Sequence, residues 1–442
     1  MRESFFPKGA ERCSFRLQYR TISAIIKISV SRKRFTEGER SMAYEYIENF
    51  KKFGFGLFIH FGLYSVLGKG EWAESIGKID REEYESITRR FVIGENWAKD
   101  LVRTAKEAGC RYITLTTRHH DGFSLYDTKG LNDFDAPHSA CGRDLIAEFV
   151  EACREGGVVP FFYHTLLDWH NSDYANDFPK YIDYLDRSIE ILCSSYGKIG
   201  GFWFDGMWDK PDADWQEDRL YGTIRKYQPE AMIINNTGLS ERGQTGHREI
   251  DSVTFERGKP FCVDTSFKPI AGEVCEGITD HWGYCEEDVC FKSVPQLTEL
   301  LVDCRKYGHN LLLNTGLRGD GSVNPIEREI LKSVGKVVRV NRNVLLDARP
   351  CGFGAENADL LTDGKYYYAV VKKVPMFTNV NVTAMRETRR FRLKTERKIL
   401  SAEWMDNGEK AEVTEDGDVI VAPFSYGYSY GIRIAKIILE EN

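Results

Sequence analysis

The run Gly200-Gly201-Phe202-Trp203-Phe204-Asp205-Gly206 is short, apolar, and stops abruptly at a carboxylate followed by glycine. Such a run reads as a strand buried on both faces, where a charge is tolerated only at the end that meets solvent or a site. Asp205 at that end suits a nucleophile or general base, and taken alone it suits a helix N-cap equally well. The first polar residues after the other apolar runs break the tie: His60, Arg118-His119-His120-Asp121, His164, Asn235-Asn236, Glu256-Arg257 and Asn314. If the runs are strands of one barrel, their C-terminal ends converge and these side chains crowd a single cleft. Two chemistries fit such a crowd. Imidazoles with carboxylates are the usual zinc or iron ligands of a metal hydrolase. The flat apolar faces of Phe58, Tyr64, Trp72, Tyr163, Trp203 and Trp282 point instead to a sugar, whose C–H faces stack while its hydroxyls need polar partners. A carboxylate nucleophile with a second, protonated carboxyl then reads as glycoside hydrolysis. His119 and His120 are adjacent, so on an extended strand end their side chains are expected to diverge, which disfavours a shared metal. No metal and no cofactor are expected.

The elements that must carry these residues alternate along the chain. Strand candidates are 53–60, 112–117, 158–163, 201–205, 231–235, 252–256 and 310–314, with amphipathic helices between several of them. Trp97, Leu101, Val102, Ala105 and Ala108 share one helical face, as do Leu297, Leu300, Leu301 and Cys304. Alternation sustained over about 290 residues predicts a (β/α) barrel of the TIM type, with an eighth strand hidden in the irregular stretch between Arg257 and Val294. After Asn341 the pattern changes to period two with turn signals such as Asn407-Gly408, which predicts a C-terminal antiparallel β-sandwich. The expected domains are an N-terminal extension over 1–43, a catalytic barrel over 44–344 and the sandwich over 345–442. Tyr426, Tyr428 and Tyr430 alternate and read as one packed or half-exposed face.

Composition bounds the partners. The 442 residues are 42% hydrophobic and 29% charged, enough for one large core and a smaller second domain. Residues 1–41 hold ten Lys/Arg against four Asp/Glu, so the net charge of −7 conceals a body at −13, which argues against nucleic acid as a partner. Eleven cysteines without a paired framework read as free thiols of a reducing compartment. The basic opening segment has neither a cleavage site nor a membrane-spanning run. No membrane partner is expected, the location is expected to be cytoplasmic with secretion as the alternative, and a homo-oligomer is admitted.

The residues also resemble a known family. The runs Gly56-Leu57-Phe58-Ile59-His60-Phe61-Gly62-Leu63-Tyr64-Ser65, Glu71-Trp72, Arg118-His119-His120-Asp121-Gly122-Phe123, Phe202-Trp203-Phe204-Asp205-Gly206 and His281-Trp282-Gly283-Tyr284, with 310–316, look like the α-L-fucosidases of glycoside hydrolase family twenty-nine. The resemblance covers roughly residues 50 to 345 in the right order. It implies a retaining exo-hydrolase of terminal α-L-fucose on oligosaccharides or glycoconjugates, built as a barrel followed by a β-sandwich and working without metal. It also implies that His60, Glu71, Trp72, His119, His120 and Tyr163 hold the fucose hydroxyls or wall the pocket, with Asp205 the nucleophile and Arg257 near it. An apolar wall for the fucose methyl is assigned to Phe58, Tyr64, Trp203 and Trp282. A non-catalytic lectin on a degenerate barrel is the alternative that the intact acids disfavour. The sequence departs from the family at Gly272, where tryptophan is frequent, and at His164, where small or hydroxyl residues are common.

Two glutamates compete for the acid/base. Strand position favours Glu256, at a tip. Its neighbour Arg257 would hold a carboxylate ionised, so Glu256 reads better as the partner that orients Arg257. Glu273 sits between Gly272 and Val274, nine residues before Trp282, in surroundings that raise a carboxyl's pKa if a loop folds it over the site. Local charge and resemblance together assign the catalytic pair as Asp205 and Glu273.

Overall fold

The computed structural model describes residues 44–236, 245–263, 268–376 and 388–441. The expected extension over 1–43 lies outside the described residues. Eight parallel strands close a barrel in chain order: β1 Phe55–His60, β2 Tyr112–Arg118, β3 Val159–Thr165, β4 Gly201–Asp205, β5 Met232–Asn235, β6 Ser252–Thr254, β7 Ala271–Gly277 and β8 Asn310–Gly316. Every residue of β1, β2 and β8 is buried, because helices cover one face of each strand and the barrel interior fills the other.

The hidden strand is β7. Its sequence, Ala-Gly-Glu-Val-Cys-Glu-Gly, carries two carboxylates and two glycines, and so lacks the apolar run that announces its neighbours. Gly272 is needed there: a Cβ on it would stand 2.4 Å from Nδ1 of the His309 ring, which crosses close to the strand. The lower interior of the barrel is packed with Tyr112, Phe161, Met232, Ala271 and Leu312, and Ile47 and Phe50 of the helix Glu45–Lys51 belong to the same cluster. That filled floor leaves space for a ligand only at the opposite, C-terminal ends of the strands.

The C-terminal region forms two antiparallel sheets. The strands are β9 Arg349–Pro350, β10 Ala355–Glu356, β11 Asp359–Thr362, β12 Tyr367–Val371, β13 Arg390–Leu393, β14 Ile399–Trp404, β15 Asp418–Ile420 and β16 Arg433–Leu439. The order is β10-β13-β15 in one sheet and β14-β16-β12-β11-β9 in the other. Phe391, Leu393 and Val419 of the first meet Val371, Trp404 and Ile437 of the second in one buried cluster, the arrangement of a sandwich. In β13 arginines face out and Phe391 and Leu393 face in, the period-two pattern read from the sequence. Tyr428 and Tyr430 pack on Phe424, whereas Tyr426 is exposed, so the three tyrosines do not form one face.

Candidate active site

Asp205 is the last residue of β4, and its side chain is 16% exposed at the rim of a recess of about 100 Å³. The chain can turn away directly after it because Gly206 adopts φ +97°, where a Cβ would also strike Leu167. The recess is lined by Phe58, His60, Trp72, His119, His120, Tyr163, Trp203, Asp205, Trp208, Asn236, Glu256, Cys275 and Trp282. Apart from Trp72, which follows the helix Tyr64–Leu67, each is in the C-terminal half of a strand or within a few residues beyond it, as barrel geometry requires.

Four donors surround the Asp205 carboxylate. Oδ2 accepts from the Tyr163 hydroxyl at 3.1 Å. Oδ1 accepts from the Trp208 indole at 3.2 Å and from the Asn236 amide at 3.3 Å. The fourth is the backbone N–H of Gly206. Burial raises the pKa of Asp205, and all four donors oppose it by favouring the charged form. The same nitrogen of Asn236 donates to Oε2 of Glu256 at 2.6 Å, and the Thr254 hydroxyl donates to Asn236 Oδ1 at 2.9 Å, which fixes the way the amide faces. Two carboxylate oxygens that share one nitrogen can be no further apart than the sum of those two bonds. That limit is compatible with the about 5–5.5 Å between the carboxyl groups of a retaining glycosidase. Burial and then the charge on Asp205 raise the Glu256 pKa, with Asn236 and Arg257 pulling it back.

The histidines are polar but uncharged. Burial brings His60 and His120 to about 3 and His119 well below its ordinary value. Their hydrogen bonds also fix where the protons are. Thr165 donates its hydroxyl to Leu167 O at 2.5 Å, so at 2.7 Å from His120 Nδ1 it must accept. Asn314 donates through Nδ2 to Trp282 O, so its Oδ1 accepts from His60 Nδ1 at 2.7 Å. Both rings therefore carry their proton on Nδ1 and turn a bare Nε2 acceptor elsewhere; in His120 it lies 3.6 Å from Asp205 Oδ2. The expected divergence of His119 and His120 is corrected. β2 ends at Arg118, the alternation ends with it, and the two rings lie 4.2 Å apart in the same recess.

Other expectations are corrected as well. Glu273 is on no loop: it is an interior residue of β7, 1% exposed, hydrogen-bonded to Tyr112 and, at 2.9 Å, to the Trp203 indole, and it does not line the recess. Glu256 does not orient Arg257. Arg257 has φ +46°, its guanidinium lies over the Trp282 ring at 4.6 Å, and its Nη2 donates to Asp280 O at 2.6 Å. Tyr64 is fully buried behind His119 rather than on the apolar wall, which leaves Phe58, Trp203 and Trp282 there. Glu71 accepts from the backbone N–H of Trp282 at 3.1 Å and of Gly283 at 2.7 Å, so it holds the turn that presents Trp282 and is not itself in the lining. His164 faces Thr117, and Asp121 accepts from Tyr84; neither reaches the recess.

Sequence reasoning placed Asn236 at a strand end without giving it a role, and it missed Trp208 and Cys275. Trp208 follows Asp205 by three residues, a spacing from which an aromatic donor can fold back onto the carboxylate. Cys275 is on the strand that was itself hidden.

The family model described as Alpha-L-fucosidase matches residues 23–343, and so begins inside the stretch expected to be an extension. The chain belongs to the α-L-fucosidase family. It is 26% identical to the human tissue α-L-fucosidase over 333 residues, 67% of this chain and 68% of that one. The α-L-fucosidase isoenzyme 1 of Paenibacillus thiaminolyticus superposes with a TM-score of 0.78 at 26% identity, over 90% of this chain and 100% of the other. An α-L-fucosidase of family twenty-nine from Bacteroides thetaiotaomicron, trapped as a covalent intermediate with 2-fluoro-fucosyl fluoride, superposes at 0.76 with 22% identity, over 90% and 96% of the chains. These α-L-fucosidases share the fold described above.

Proposed function

We propose that this protein releases terminal α-L-fucose from fucosylated oligosaccharides or glycoconjugates with retention of configuration, using Asp205 as nucleophile and Glu256 as acid/base. The observation that carries the reading is the single Asn236 nitrogen bonded to both carboxyls at the open end of the barrel. Burial raises both carboxyls, but four donors oppose the rise at Asp205 whereas the charge of Asp205 adds to it at Glu256, so Glu256 is the one assigned the proton. In the first step an Asp205 oxygen bonds to the anomeric carbon as the glycosidic C–O bond breaks, and the Glu256 proton goes to the departing oxygen. In the second, water attacks the same carbon and gives its proton to Glu256, and the Asp205 ester is released. The covalent intermediate trapped in the Bacteroides thetaiotaomicron relative is the species this sequence requires.

The bare Nε2 atoms of His60 and His120 accept hydrogen bonds from ring hydroxyls, and Phe58, Trp203 and Trp282 face the C5 methyl. A sugar with an added hydroxyl in place of that methyl hydrogen is disfavoured by about a hundredfold. The ten cysteines among the described residues are free thiols, which supports a cytoplasmic site of action. The test is hydrolysis of 4-nitrophenyl α-L-fucoside with the sugar followed by NMR. α-L-Fucose as the first-formed anomer is expected, and either β-fucose or no release refutes the reading.

A further inference from the structure

Glu273 is a carboxyl in an apolar place. Tyr112 and Trp203, its two hydrogen-bond partners, and the cluster of Phe50, Phe161 and Met232 belong to the packed lower barrel. Among the described residues no cation contributes to its charge balance, only burial and two neutral donors. Burying a carboxyl this way costs several kcal/mol, and an apolar side chain of similar volume is frequently neutral or better for stability. Packing alone therefore does not account for a glutamate here.

What the carboxyl does is hold one edge of Trp203. The indole N–H points down to Glu273 Oε1 at 2.9 Å, and the rest of the ring forms part of the recess above. Tyr163 lies against that ring, 5.7 Å between centroids and 20° from parallel, and donates its hydroxyl to Asp205 at 3.1 Å. Phe58, on the apolar wall, packs on the same indole at 5.1 Å. A continuous set of contacts thus runs from the buried carboxyl to the nucleophile. Tyr112 fixes the other oxygen of Glu273 and is itself wedged between Phe50 and Phe161.

We infer that Glu273 is a positioning residue for the sugar pocket: it sets the rotation of Trp203, and Trp203 sets Tyr163 and Phe58 against the bound sugar. The inference rests on the fucosidase reading, but L-fucose binding tests it independently of turnover. The experiment uses the full chain with Glu273→Gln, Glu273→Met, Trp203→Phe, Tyr112→Phe and the double variant Glu273→Met/Trp203→Phe. L-Fucose affinity is measured by calorimetry, and kcat and KM on the aryl fucoside across pH. Glu273→Met is expected to weaken fucose binding and raise KM by about tenfold, the scale of one hydrogen bond. Glu273→Gln, which still offers an acceptor to the indole, recovers most of that loss, and both pH limbs stay where they are. In the Trp203→Phe background, which has no N–H to hold, Glu273→Met costs nothing further. If Glu273→Met does not fold, Tyr112→Phe carries the test, because it loosens the carboxyl without removing it and must weaken fucose binding. Wild-type fucose affinity in the folded Glu273→Met or in Tyr112→Phe, or equal losses in both Trp203 backgrounds, overturns the inference. A wild-type protein that binds fucose but hydrolyses no fucoside refutes the proposed function and leaves these affinity comparisons to decide the inference.

Discussion

The hydroxyl of Tyr163 donates to Oδ2 of Asp205 across 3.1 Å, from a ring that is itself stacked between His119 and Trp203. The bond favours the ionised carboxylate, and it releases that oxygen only as charge leaves it. Tyr163→Phe keeps the stacked ring and removes one donor. It is expected to lower kcat by about 10- to 100-fold with a smaller change in KM, as steady-state kinetics on the aryl fucoside will show. A wild-type kcat would mean that the bond does not act on the reacting oxygen.

Asn236 gives the pH dependence its sign. Activity needs Asp205 ionised and Glu256 protonated, so kcat/KM rises with pH as Asp205 loses its proton and falls as Glu256 does. Both carboxyls are raised by burial, and Asn236 pulls each back by donating to its charged form. Asn236→Ala removes that pull from both. Its pH profile is expected to move toward higher pH on both limbs, and a profile that stays fixed or moves down contradicts the bridging role.

Much of this was legible in the sequence, because strands with continuous apolar runs announce themselves and their polar ends converge by topology. β4 with Asp205 and β2 with its two histidines are of that kind. β7 was not legible, since Glu273 and Glu276 interrupt the apolar pattern, and the carboxyl of Glu273 is accommodated by partners far away in the chain, Tyr112 and Trp203. The misplacement of Glu273 on a loop followed directly. Glu256 was misjudged for a different reason: adjacency to Arg257 in sequence implied an ion pair, and the left-handed turn at Arg257 sends the guanidinium to Trp282 instead.

The stability of the protein should record the buried carboxyl. Burial lifts Glu273 from an ordinary 4.5 to about 7, so the folded chain holds a proton there that the unfolded chain has lost. Where the folded state binds more protons, stability falls as pH rises. The contribution is fully present below about pH 4.5 and is lost by about pH 7. Glu273→Gln has no such loss, so its melting temperature relative to wild type is expected to climb between those two pH values. A difference that is flat in pH would show that Glu273 titrates normally.

Glu71 provides a test of the pocket wall. It ties down the backbone of Trp282 and Gly283 through one oxygen. Glu71→Ala leaves two backbone donors without that acceptor and frees the turn that presents Trp282. The expected result is a KM increase of about tenfold or more. Glu71→Gln, which retains an oxygen acceptor, should recover part of it. Equal damage from both variants would indicate that the charge, and not the turn, is what matters.

The assignment of the two catalytic carboxyls is tested most directly by azide rescue on 4-nitrophenyl α-L-fucoside, comparing Asp205→Gly, Glu256→Ala and Glu273→Ala. Azide attacking the fucosyl-enzyme of an acid/base variant inverts the β linkage and gives the α-fucosyl azide, whereas azide replacing a missing nucleophile gives the β-azide. The account predicts rescue of Glu256→Ala with the α-azide, rescue of Asp205→Gly with the β-azide, and no azide product from Glu273→Ala above the wild-type background. α-Fucosyl azide from Glu273→Ala, with none from Glu256→Ala, would contradict it.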